Sequence, residues 1–116
     1  LDLVDVRSSL RSGMWRNVGI ERHGTKLKDM RDMCDFWARY TVSSIFDDVM
    51  GWETQNMLTI AALMSRAAEW RRETRGGQCR VDFPDMDESL EVHALWKAGS
   101  DQPTLRWVKA GAEALA

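Results

Sequence analysis

The side chains able to do chemistry in this 116-residue sequence are few: Cys34 and Cys79, His23 and His93, and the carboxylates Asp82, Asp85, Asp87 and Glu88. A Cys79 thiolate with His93 as its base is conceivable as a nucleophile. A single cysteine in a basic loop is more often an exposed free thiol. The four carboxylates suit a hard cation in charge, but their order lacks the calcium-loop spacing and no glycine stands at the turn. The cysteines and histidines form no Cys-x-x-Cys or paired-ligand spacing, so no zinc site is expected. No Gly-x-Gly-x-x-Gly occurs, so nothing in the chain is built to cradle a dinucleotide pyrophosphate. The sequence therefore assigns no catalytic, cofactor-binding or metal residue.

The elements that would position these groups are mainly helical. Leu3, Val6, Leu10, Met14 and Val18 recur every three or four residues, which predicts a helix over 2–18 with Arg7, Ser8, Arg11 and Arg16 facing water. Leu27, Met30, Cys34, Trp37 and Thr41 form a second stripe, with Thr25 as its N-cap, over 25–45. Ser43 to Trp52 reads as a break, with Phe46 and Trp52 tucking it onto the bundle. The third helix, over 53–75, has its densest apolar run from Met57 to Ala68, expected to be buried on more than one side. Met14, Met30, Met57 and Met64 are placed inside.

That helix turns basic at Arg66, Arg71, Arg72 and Arg75, which complements its C-terminal partial charge, and Gly76-Gly77 are expected to end it. Short links favour a three-helix antiparallel bundle over residues 1–84, including a charged exit loop. Residues 85–116 form an irregular extension, with a small β-hairpin over 91–108 suggested by Val92-His93-Ala94-Leu95-Trp96 and Thr104-Leu105-Arg106-Trp107-Val108, and a flexible end from Lys109 to Ala116.

Three segments resemble one family. Glu73-Thr74-Arg75-Gly76-Gly77-Gln78-Cys79-Arg80-Val81-Asp82-Phe83-Pro84 resembles the Glu-Ser-Arg-Gly-Gly-His-Tyr-Arg-x-Asp-Phe/Tyr-Pro segment of the C-terminal helical domain in the L-aspartate oxidase, succinate dehydrogenase and fumarate reductase flavoproteins. Met14-Trp15-Arg16-Asn17-Val18-Gly19-Ile20-Glu21-Arg22 is similar to the Met-Trp-x-x-Val-Gly-Ile-x-Arg segment of L-aspartate oxidases, and Glu53-Thr54-Gln55-Asn56-Met57-Leu58 to the Glu-Leu-x-Asn-x-Leu helix start. Gln78 stands where the family usually has histidine, Cys79 where it has an aromatic residue, and Thr54-Gln55 where it has Leu-Arg.

The resemblance implies a fragment of a larger flavoprotein whose FAD-binding and capping domains, in the same chain, would be its partners. Its parent would oxidise L-aspartate to iminoaspartate for de novo NAD biosynthesis, passing hydride to FAD held outside this fragment. On that reading the fragment is structural, and Arg75, Gly76, Arg80 and Asp82 are the expected domain-docking residues. The same domain of a succinate dehydrogenase or fumarate reductase flavoprotein subunit is the alternative within the family. A free-standing helical protein-interaction module is the alternative outside it.

Composition narrows the partners. Sixteen basic against eighteen acidic side chains give a formal charge of −2, which argues against nucleic-acid binding. No apolar run approaches the ~18 residues a membrane span needs. Without a basic, apolar leader and with two free thiols expected, the parent is expected to be cytoplasmic. Leu1-Asp2-Leu3 begins directly in an amphipathic pattern without methionine, as an excised piece would. Trp15, Trp70, Trp96 and Trp107 lie beside the stripes or in the extension and are expected to leave an apolar surface through which the excised chain forms a homodimer.

Overall fold

The computed structural model describes residues 2–42 and 47–107. Asp2 accepts a hydrogen bond from the Val4 amide at 2.9 Å and so starts α1, Leu3–Asn17. The second helix, α2, is Gly24–Val42. It begins one residue before the expected Thr25 cap, because His23 supplies both groups at that end: its carbonyl accepts from Leu27, and its Nδ1 accepts from the Thr25 amide at 3.2 Å. Residues 43–45 of the expected second helix lie outside the described residues, as does Phe46.

The third helix, α3, is Val49–Trp70, not 53–75. Its start is set by Asp48, whose carboxylate accepts from the Gly51 amide at 2.8 Å, so Val49 to Trp52 are helical and not part of the break. Trp52 is about half exposed. The helix ends at Trp70 because Arg71 leaves the helical backbone, with φ −80° and ψ 95°.

Side-chain contacts fix how the helices run. Arg7 meets Glu53 and Met14 meets Ser65, so α1 and α3 are parallel. Arg31 meets Glu69, Asp35 meets Arg66, and Gln55 donates to the Thr41 carbonyl, so α2 runs antiparallel to α3. This is an up-down-up bundle, and it brings the C-termini of α1 and α3 and the N-terminus of α2 to one end.

The core is the predicted stripes of α1 and α2, namely Val6, Leu10, Val18, Leu27, Met30 and Cys34, met by Leu58, Ala61 and Ala68 of α3, with Met14, Trp37 and Met57 packed against it. Burial pushes the Cys34 thiol up to about 11, the neighbouring Asp35 adding to the effect. The expectation that α3 is buried on several sides is wrong. Two helical neighbours cover a single stripe, Thr54, Leu58, Ala61, Ser65 and Ala68, and leave Ile60, Leu63 and Met64 about half exposed. Thr54 is hidden without loss because its hydroxyl donates to the Met50 carbonyl at 2.7 Å.

Two short sheets complete the fold. β1, Glu21–Arg22, pairs in parallel with β2, Cys79–Arg80, and β3, Val92–Leu95, pairs antiparallel with β4, Thr104–Trp107. A 3₁₀ turn, Glu88–Leu90, precedes β3. The expected hairpin is thus present, its strands lying within 91–108. Val108 and the tail to Ala116 lie outside the described residues. The hairpin leans on the bundle through Trp96, set edge-on against Trp70 at 6.3 Å, and through buried Val92. Among the described residues no helix is long and apolar enough to cross a membrane.

The two faces of α3 should respond differently to truncation. Leu58→Ala, at 1% exposure, should cost about 2–5 kcal/mol in urea unfolding, whereas Leu63→Ala, at 48%, should cost less than half as much. Equal losses would mean that the Leu63 face is covered.

Candidate functional site

Two of the three sequence segments meet at the end of the bundle where α1 and α3 stop and α2 starts. Glu21 and Arg22 register with Cys79 and Arg80, and the Arg22 guanidinium donates to Gln78 Oε1 at 2.8 Å across 56 positions of sequence. The Glu53 to Leu58 segment lies elsewhere, in the first half of α3, where Glu53 pairs with Arg7.

Arg80 is the hub, and it is 2% exposed. Its Nη1 donates to the carbonyls of Ala68 at 3.0 Å, Glu69 at 3.0 Å and Arg71 at 3.2 Å, the acceptors that the end of α3 leaves without helical partners. Its Nε and Nη2 form a two-pronged pair with Asp82 at 2.9 Å each. Asp82 in turn accepts from the Gly24 amide at 3.1 Å, at the positive end of α2. One ion pair therefore caps the C-terminus of one helix and the N-terminus of another. A Cβ at Gly24 would lie 2.8 Å from Asp82 Oδ2 and 2.9 Å from Arg80 Nη2, so the pair reaches the backbone only because residue 24 is glycine. The Arg80 hydrogen bonds, more than burial opposes them, hold the Asp82 carboxyl far below the usual carboxylate range.

Gln78 extends the same cap. Its Nε2 donates to the Ala68 carbonyl at 3.1 Å and the Arg71 carbonyl at 2.8 Å while its Oε1 accepts from Arg22. The side-chain amide thus uses its donor and acceptor ends together.

Glu73 organises a second knot and was not among the expected site residues. It is fully buried. Arg75 Nε lies 3.0 Å from both of its oxygens, the Asp87 amide donates to Oε1 at 2.9 Å, and Arg71 forms a short ion pair with Oε2. Arg71 also donates to the carbonyls of Leu90 at 2.6 Å and Val92 at 2.8 Å, and Arg75 donates to that of Asp87 at 3.0 Å. This ties residues 87–92 to the end of α3. Burial opposes the charge on Glu73, but the donors outweigh it and hold the carboxyl below its ordinary value.

Gly76 does not cap a helix. Arg75 and Gln78 exchange backbone hydrogen bonds of 2.9 Å in both directions, and Gly76 sits between them with φ +57°. Positive φ at the first central residue of a two-residue turn favours glycine. The expected docking residues thus fall into two kinds. Arg80 and Asp82 are engaged inside the chain, whereas Gly76 is exposed and Arg75 lies at the rim.

Beside the Gly76-Gly77 turn lies an apolar depression formed by Met14, Trp15, Val18, Ile20, Met64 and Gly77. Trp15 is 78% and Ile20 80% exposed. Trp107 is exposed on the separate hairpin, while Trp70 and Trp96 pack on each other, so the four tryptophans do not form one surface. Cys79 lies in β2 and His93 in β3, in different sheets. Asp87 caps the 3₁₀ turn through the Ser89 amide, and among the described residues no three histidine, cysteine or acidic side chains come together to hold a metal. The described strands contain no glycine-rich strand-to-helix turn, so these residues do not fit the diphosphate of FAD.

The folded state lowers both carboxyls, so their contribution is complete above about pH 5 and is lost as pH falls through about 4 toward the lowered values. Stability of the chain should therefore decline across that window. Glu73→Gln should cost on the order of 3 kcal/mol at pH 7 and flatten the acid decline, read by urea midpoints at successive pH values. A variant as stable and as acid-sensitive as the parent sequence would remove Glu73 from this role.

Residues 7–115 match the family model described as fumarate reductase flavoprotein C-term. The fumarate reductase flavoprotein subunit of Helicobacter pylori strain J99 is 26% identical over 119 residues, covering 91% of this chain and 17% of that protein. The L-aspartate oxidase of Halalkalibacterium halodurans is 31% identical over 109 residues, covering 89% of this chain and 21% of that protein. Among solved structures, Mycobacterium smegmatis Sdh1 in complex with UQ1 superposes with a TM-score of 0.69 at 21% identity, over 91% of this chain and 20% of that one. The chain thus spans roughly a fifth of the length of the relatives it matches. A family model matched across nearly all of the sequence, on a bundle whose capping knot is formed by the two resembling segments, establishes that this chain belongs to the fumarate reductase flavoprotein C-terminal family.

Proposed function

We propose that this chain is the C-terminal helical domain of a cytoplasmic, FAD-dependent L-aspartate oxidase, with a structural role in domain docking and no catalytic residue of its own. The observation that carries the reading is the meeting of the 14–22 and 73–84 segments at one end of the bundle. The first of these follows the L-aspartate oxidase form, and the Halalkalibacterium halodurans L-aspartate oxidase is similar over most of the chain. The succinate dehydrogenase and fumarate reductase branch is the second reading, supported by similarity to the Helicobacter pylori subunit over the same span.

In this proposal the flavin, which accepts hydride from the substrate carbon, lies in the remainder of a longer protein, and the chain's own residues supply rigidity and a surface. Arg80, Asp82, Gln78 and Glu73 hold the exit loop against the ends of α2 and α3, so the loop presents a fixed shape. Arg75 at the rim, the exposed Gly76 turn and the apolar Trp15 and Ile20 beside it form the face toward the flavin and capping domains. Apolar groups next to hydrogen-bonded charge make a suitable interdomain contact.

Two measurements test this. The full-length product of the parent gene, supplied with FAD, should release hydrogen peroxide and iminoaspartate from L-aspartate. Dye reduction by succinate instead would move the domain to the respiratory branch, and failure to bind flavin would return it to a free-standing interaction module. Ile20→Ser should change the stability of the isolated bundle by less than about 0.5 kcal/mol, because the side chain is already in water. In the full-length protein the same change should lower the melting temperature and speed flavin loss; unchanged values would place the docking face elsewhere.

A further inference from the structure

On the opposite flank of α3, the hairpin and the bundle enclose a cleft of about 340 Å³, whose lining includes Arg31, Arg66, Glu69, Arg72, Trp96 and Asp101. Three arginines line it. Arg31 is satisfied by Glu69 at 2.6 Å, and Arg66 reaches Asp35 only at 3.5 Å. Arg72 is exposed, and among the described residues its side chain has no hydrogen bond or ion pair. Each guanidinium carries five donors in a planar fork, so most of those on Arg66 and Arg72 are unused. Two buried groups of the cleft wall lack a hydrogen bond among the described residues: Glu69 Oε2, which is ion-paired with Arg31, and Trp96 Nε1, which lacks an acceptor. A buried indole N–H usually finds one.

We propose that this cleft is an anion site for a small oxyanion, phosphate or a short dicarboxylate, held between Arg66 and Arg72. Glu69 does not oppose it, since Arg31 neutralises that carboxylate. Asp101, on the β3–β4 turn, sets the limit on size and charge, because an anion that reaches the rim meets a like charge. Seating the anion draws the hairpin inward and gives the Trp96 N–H its acceptor. The site is independent of the docking reading, since it lies on another face and uses none of the same residues.

The test is a titration of the ¹⁵N-labelled full chain with inorganic phosphate, then malonate, at constant ionic strength maintained with sodium chloride. The Trp96 indole resonance is identified by its disappearance in Trp96→Phe. Its shift should saturate, and the dissociation constant should rise roughly tenfold in Arg72→Ala, in line with the loss of one charge-assisted hydrogen bond. Arg106→Ala, on β4 and outside the cleft lining, should leave it unchanged. The tighter of the two probes identifies the ligand class. A shift that never saturates, that sodium chloride reproduces, or that Arg72→Ala leaves intact would overturn the site. Arg66→Lys, which keeps the charge but loses the fork, provides a second reading: an unaltered affinity there and in Arg72→Ala together would also reject it.

Discussion

The structure depends on a buried guanidinium. Helix ends expose carbonyls and amides that water normally satisfies, yet here three helix ends are gathered under a loop. Arg80 resolves both signs at once: its donors meet the negative end of α3, and its partner Asp82 meets the positive end of α2. A buried ion pair alone is weak evidence for stability, because desolvation offsets its attraction. This one differs in that Arg80 Nη1 and Asp82 Oδ2 also meet backbone groups that would otherwise be orphaned. The geometry fixes the angle at which the chain leaves α3, and therefore where the turn, β2 and the hairpin can lie.

Glu73 continues the same logic outward. Once α3 has ended at Trp70, Arg71 is extended and the chain bends at Glu73. There the one carboxylate of Glu73 serves the guanidiniums of both Arg71 and Arg75. Those guanidiniums hold the carbonyls that lead into β3. A two-stranded hairpin has little stability of its own. Its position is borrowed from these contacts and from the Trp70–Trp96 contact, which makes the exit loop the mechanical link between the bundle and everything after it.

The stripes of α1 and α2 were legible in the sequence because both helices bury one face at a regular spacing: Val6 and Leu10, Leu27, Met30 and Cys34 all lie where the period puts them. The end of α3 was not. A run of helix formers followed by two glycines suggests a helix that continues to Gly76, and local rules contain nothing to stop it earlier. What stops it is an arginine nine residues beyond Arg71 that takes the terminal carbonyls. The Arg22–Gln78 bond spans too much sequence for any local pattern to reveal. Glu73 illustrates a third kind of failure. Its alternation with arginines was visible, but on a helix such neighbours point apart, so only the correct end of α3 turns the pattern into a contact.

Gln78 shows how far the departure from the family's usual histidine matters. The position must accept from Arg22 and donate to the carbonyls of Ala68 and Arg71, a demand on both ends of one side chain. An amide meets it without changing charge near neutral pH, whereas an imidazole would meet it in only one tautomer and would become donor-only once protonated. The carboxyls of the two knots, Asp82 and Glu73, both move further toward acid. Gln78 therefore holds its contacts to Arg22, Ala68 and Arg71 without any change of its own charge.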